Sequence, residues 1–170
     1  MRKVEARRSI IWQVSLVAVA AVAWVVIFDT TAFAQSANPA VGTWKLNVAK
    51  SKYVAGRPNK SGTTKIEAAG AGVKVTVDAV AADGTTRHWT YTGNADGKDV
   101  SITGNSQYGN AVAMTRVDGR TTRQTYKNGG KVTATQTIAV SADGKIRTVT
   151  TKGTDARGQA IDSVAVYDKQ

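Results

Sequence analysis

The chain has 170 residues with 23 Lys and Arg against 12 Asp and Glu, a formal net charge of +11, and no cysteine. That length fits one ordinary domain, large enough to bury a core without covalent staples. The missing cysteine excludes disulfides, thiol catalysis, thiolate metal sites and a lipid-modified N-terminal cysteine.

Residues 1–34 read as a secretory signal helix. Arg2, Lys3, Arg7 and Arg8 give a basic start, Ser9 to Phe28 carry no charge, and Ala32-Phe33-Ala34 is a small-x-small cleavage site before Gln35. The expectation is export, after cleavage near Ala34, to a bacterial periplasm or exterior. The uncharged run could instead span a bilayer as an anchor, although Gln13 and Ser15 interrupt it. Beyond the leader, 19 basic and 10 acidic residues remain. Such a surplus favours weak contact with anionic membrane surfaces or acidic small molecules, unless it only solvates strand faces. The basic residues are scattered, without a stripe or an RNA- or DNA-binding motif, so no nucleic-acid partner is expected.

Residues 35–170 are predicted to form a single domain. After a polar linker, Gln35 to Pro39, the first strand is Val41 to Asn47. Trp44 and Leu46 fall on one face of it, Lys45 and Asn47 on the other. Lys50 to Gly62, with Gly56, Pro58 and Asn59, shows little alternation and reads as a loop or lid. Regular punctuation follows. Short strands at 63–67, 73–77, 85–92, 99–103, 111–117, 120–127, 131–141, 145–152 and 160–169 are separated by Asp83-Gly84, Asp96-Gly97, Asp118-Gly119, Asn128-Gly129-Gly130 and Asp143-Gly144. Asp-Gly and Asn-Gly between alternating segments mark hairpins, because these residues accept the positive φ that tight turns need. A long antiparallel meander hides its edges by closing on itself. The predicted fold is therefore all-β, an antiparallel up-and-down barrel of 8 to 10 strands, with a sandwich as its rival. A transmembrane barrel is disfavoured because Lys45, Lys65, Lys74 and Arg87, read as outward, would meet lipid.

Gly42-Thr43-Trp44-Lys45-Leu46 resembles the Gly-x-Trp opening of the lipocalin and fatty-acid-binding (calycin) families. Val164 to Lys169 is similar to the last strand of the fatty-acid-binding type. Over its mature length the chain also resembles bacterial lipocalin-like proteins. The resemblance implies a barrel with an apolar ligand inside, Gly42 and Trp44 as structural residues, and Tyr167 as a hydrogen-bonding contact to the ligand. The arginine that the fatty-acid-binding pattern places two residues before this tyrosine is Ala165 here, and the helical lid after the first strand has no counterpart.

Catalysis is not expected. His88 has no cysteine to pair with and cannot alone build a His-based zinc site, and Asp96, Asp99, Asp118 and Asp143 sit where turns want aspartate. No cofactor or metal is implied. The candidate ligand-binding residues are Trp89 and Tyr91, which share a face, with Tyr126, Tyr167 and Arg116; the rival reading makes the aromatics core filler. Arg116 shares a face with Val112 and Met114, and an inward guanidinium would need an anionic partner. For Arg123 and Arg147 either face remains open. The expected function is binding of a small hydrophobic or amphipathic ligand, anionic ones included, inside the barrel. The alternative is a non-catalytic structural or interaction protein with a packed interior.

Overall fold

The computed structural model describes residues 38–56 and 58–170. The expected leader, its expected cleavage point and most of the polar linker lie outside the described residues. Within them eleven antiparallel strands form one sheet: β1 (Gly42–Ala55), β2 (Asn59–Ala69), β3 (Gly72–Ala81), β4 (Thr86–Gly93), β5 (Asp96–Ser101), β6 (Thr103–Gly104), β7 (Ala111–Arg116), β8 (Thr121–Asn128), β9 (Lys131–Val140), β10 (Ile146–Thr154) and β11 (Ala160–Lys169). Their order is β5-β7-β8-β9-β10-β11-β1-β2-β3-β4-β6. The two outermost strands are neighbours in sequence, joined through Ile102. One continuous segment thus pairs with β7 through its first part and with β4 through Thr103 and Gly104, drawing the sheet into a nearly closed barrel. Closure leaves few open ladder edges to recruit another chain.

The hairpin chemistry acts as the sequence dictates. Asn128 pairs with Lys131 across a loop of Gly129 and Gly130, both at positive φ (56° and 81°), the backbone of a two-residue turn that follows the strand twist. Alternation then sorts the faces. On β4, Trp89 and Tyr91 are buried while His88 is exposed; on β3, Val75, Ala79 and Ala81 are buried while Lys74 and Asp78 are exposed. Trp44 is 0% exposed, and its indole N–H donates to Ala40 O at 2.8 Å. It joins Ile66, Val75, Val112, Met114 and Val140 in the larger core cluster.

The structure corrects four expectations. Lys50 to Gly62 is not a loop: β1 runs to Ala55 and β2 starts at Asn59. Periodicity fails there because β1 bulges between Asn47 and Lys52, after which Lys52, Tyr53 and Ala55 pair with β11. Ser51 stabilises the bulge, its hydroxyl accepting from Val166 N and donating to Asn47 O. Asp96-Gly97 is not a turn but the bulged start of β5, so the expected strand 99–103 becomes two, and the total is eleven rather than ten. Arg87, read as outward, is buried on the face of Trp89 and Tyr91. Arg116 does share the face of Val112 and Met114, but at the end of β7 it is exposed, its stem long enough to carry the charge toward water.

Candidate functional site

The barrel interior is lined by aromatic and polar side chains at its middle. Arg147 on β10 lies directly opposite Tyr167 on β11, so both side chains leave the same face of the sheet. The guanidinium carbon sits 5.3 Å from the centre of the Tyr167 ring, within the range of a cation–π contact. Arg147 is only 5% exposed. Its guanidinium makes no hydrogen bond or ion pair with a described residue, and its buried Nε has no partner. The ion pairs among the described residues, Lys50–Asp168, Lys65–Glu67, His88–Asp78, Lys98–Asp96, Lys127–Asp99 and Lys152–Asp162, all involve exposed or partly exposed side chains.

A buried hydrogen-bond relay from β8 to β4 borders the same interior space as the guanidinium. Tyr126 donates through its hydroxyl to Gln124 Oε1 at 2.9 Å, and Gln124 Nε2 donates to the Tyr91 hydroxyl oxygen at 2.9 Å. In this relay Tyr126 donates and Tyr91 accepts, and the two hydroxyls also lie close to each other. The buried Trp89 indole N–H is also unpartnered. The Tyr53 hydroxyl makes no hydrogen bond of good geometry, the Asn59 amide and Ser51 hydroxyl being its nearest candidates. The Trp89 N–H and the Arg147 Nε–H are thus buried donors without a partner, the kind of group an anion can satisfy.

The tyrosines cannot neutralise Arg147 by ionising. Burial pushes the Tyr167 hydroxyl up to about 12 although the nearby Arg147 charge pulls it down. Tyr167 is half-buried, and its side chain borders interior space. Tyr91 and Tyr126 are likewise raised, mainly by burial, again against the pull of Arg147. All three stay neutral at ordinary pH.

Three small spaces run through the interior. One of ≈ 70 Å³ lies among Ala40, Ile66, Val73, Val75 and Met114, with Arg116 at its margin and Arg147 and Gln124 at its inner end. A second, ≈ 40 Å³, shares Val75, Gln124 and Arg147 with the first and adds Trp89, Tyr91 and Tyr126. A third, also ≈ 40 Å³, reaches Tyr53, Gln136, Thr151 and Tyr167. The one carboxylate bordering any of them is Asp78, exposed on the outer face and held by His88 Nδ1 at 2.6 Å.

Of the residues singled out from sequence, Trp89, Tyr91, Tyr126 and Tyr167 converge on the middle of the barrel, whereas Arg116 reaches only the margin of the first space. Gly42 opens β1 at φ 138°, and a Cβ there would overlap the Lys169 side chain. Sequence reasoning missed Gln124, Gln136 and the inward turn of Arg147. Strand parity carried a signal for Gln124, two residues from Tyr126; β10 carried none, because Ile146 and Val149 lie on opposite faces. No protein-family model matches the sequence, and no curated protein sequence matches it.

Proposed function

We propose that this is an exported, non-catalytic binding barrel, of the lipocalin-like kind that the Gly-x-Trp opening suggests, for a small amphipathic acid. The acid group would sit on Arg147 with Tyr91 and Tyr167 beside it, and a short apolar part would lie among Ile66, Val75 and Met114. One observation carries this reading: a guanidinium 5% exposed, with no carboxylate partner and ringed by tyrosines held neutral. Burying a charge without a partner costs several kcal/mol, so an anion bound there gains strongly from electrostatics. Export rests on the leader sequence. The lack of catalysis rests on the residue set, whose one histidine lies on the outer face.

The spaces of ≈ 70, ≈ 40 and ≈ 40 Å³ favour a few-carbon acid over a long-chain lipid. Their small size also favours the second reading, a barrel whose interior is simply packed. Titrating the purified protein with hexanoate and with hexanol, followed by calorimetry, separates the two. Hexanoate should bind at least about tenfold more tightly than hexanol, and Arg147→Gln should remove that preference. Equal binding of acid and alcohol, or none of either, would move the assignment to the packed barrel.

A further inference from the structure

The second buried guanidinium serves a different space. Arg87 on β4 is 8% exposed and donates from Nη1 to Asn59 Oδ1 at 3.0 Å. It forms no ion pair among the described residues. It borders a pocket of ≈ 230 Å³ between the segment 105–107 and the turn 155–157, together with Thr85, Asn105, Ser106, Gln107, Asp155 and Arg157. At ~30 Å³ for each water-sized group, the pocket of ≈ 230 Å³ admits about eight of them, room for one small ring whose further substituents reach into solvent through its open side.

Main-chain bonds hold its walls in place. Ala156 N donates to Gln107 O at 2.8 Å and Asn105 N to His88 O at 2.9 Å. The Asn105 side chain accepts from His88 N and donates to Thr86 O. The space thus exists before any ligand enters, which lowers the ordering cost of binding. Its chemistry is mixed. Arg87 and Arg157 offer charged donors and Gln107 an amide, while Asp155 presents a carboxylate whose Oδ1 accepts from Arg157 N and Gln159 N, both at 2.9 Å. Asp155 Oδ2 is left as an open acceptor. A bare dianion would be repelled by that carboxylate, and a neutral sugar would leave Arg87 without a counter-charge.

We propose that this pocket is a second binding site, independent of Arg147, for a small acid that also carries hydroxyl groups, the class of sugar acids. The carboxylate pairs with Arg87 and Arg157 and a hydroxyl donates to Asp155 Oδ2. Calorimetric titration of the full chain with D-glucuronate, D-glucose, acetate and inorganic phosphate tests it. Glucuronate should bind at least about tenfold more tightly than each of the other three. Arg87→Gln should weaken it by about tenfold or more. Because a buried arginine can matter for folding, Arg157→Gln at the exposed rim is the companion variant, expected to weaken glucuronate about threefold with an unchanged unfolding midpoint. Asp155→Asn keeps the Oδ1 acceptor of the turn and should abolish the preference for glucuronate over acetate. Arg147→Met should leave all of this unaltered. Equal binding of glucuronate and acetate, tighter binding of phosphate, no glucuronate binding, or loss of it in Arg147→Met would each overturn the proposal.

Discussion

The surroundings of Trp44 and those of Arg147 solve the problem of a large buried side chain in opposite ways. Trp44 is fully buried, its single polar atom satisfied by Ala40 O, and it packs in the apolar cluster with Ile66 and Val75. Every part of it adds to stability through dispersion and area removed from water. Arg147, equally removed from bulk solvent, has no hydrogen-bond partner among the described residues and carries a full charge. One region holds the barrel together, and the other buries a charge whose Nε has no partner, at a cost to stability.

Perturbing each region should expose that division. Trp44→Ala is the largest expected effect: removing a fully buried indole should cost about 3–5 kcal/mol in chemical denaturation, and a loss under about 1 kcal/mol would remove Trp44 from its organising role. Gly104→Ala should cost about 1–3 kcal/mol. Gly104 sits at φ 104° with the His88 carbonyl where a Cβ would go, and it anchors the segment that brings Tyr108 against Trp89 and Tyr126. Tyr126→Phe, which strands Gln124 Oε1 at the buried end of the relay, should cost about 1 kcal/mol. A variant as stable as the parent would mean that water replaces the lost donor.

Alkaline pH probes the buried tyrosines, among them Tyr167 beside Arg147. Tyr167 is raised from 10.0 to about 12, so its neutral form is favoured in the fold. Its contribution is complete below about pH 10 and is lost as pH rises through about 12. Stability should therefore hold at neutral pH and fall across that window, less steeply in Tyr167→Phe and with the parent slope in Trp44→Ala. The smallest effect lies at the acid limb. Asp118, Asp143 and Asp168 are held below their ordinary value by local hydrogen bonds, those of Arg120 N, Ser141 and Asn47 respectively coming first. Their modest contribution is present above about pH 4 and disappears as pH falls below it.

The contrast between the two regions also explains what could be read from sequence. Trp44 announces itself, since one large aromatic beside Leu46 in strict alternation admits a single orientation, and the Asp-Gly and Asn-Gly turns fix most hairpins by local backbone chemistry. Arg147 does not. In Ile146-Arg147-Thr148-Val149-Thr150-Thr151 each face of β10 holds one aliphatic residue and threonine, so hydrophobicity assigns no interior side, and pairing with β11 decides instead. Arg87 shows the converse: its parity with Trp89 and Tyr91 pointed inward, while its charge argued for the surface. At Arg116 parity was right and strand position overrode it. The bulge at 48–51 escaped because side chain to backbone bonds from Ser51, not alternation, sustain that stretch.

The division between a stabilising and a ligand-reserving interior is tested most directly by thermal unfolding of the parent and of Arg147→Met, each with and without hexanoate. If Arg147 is an uncompensated charge kept for an anion, Arg147→Met is more stable than the parent without ligand, by about 1–4 kcal/mol. Hexanoate then raises the midpoint of the parent and leaves that of the variant unchanged. A variant less stable than the parent, with the same response to hexanoate, would contradict it.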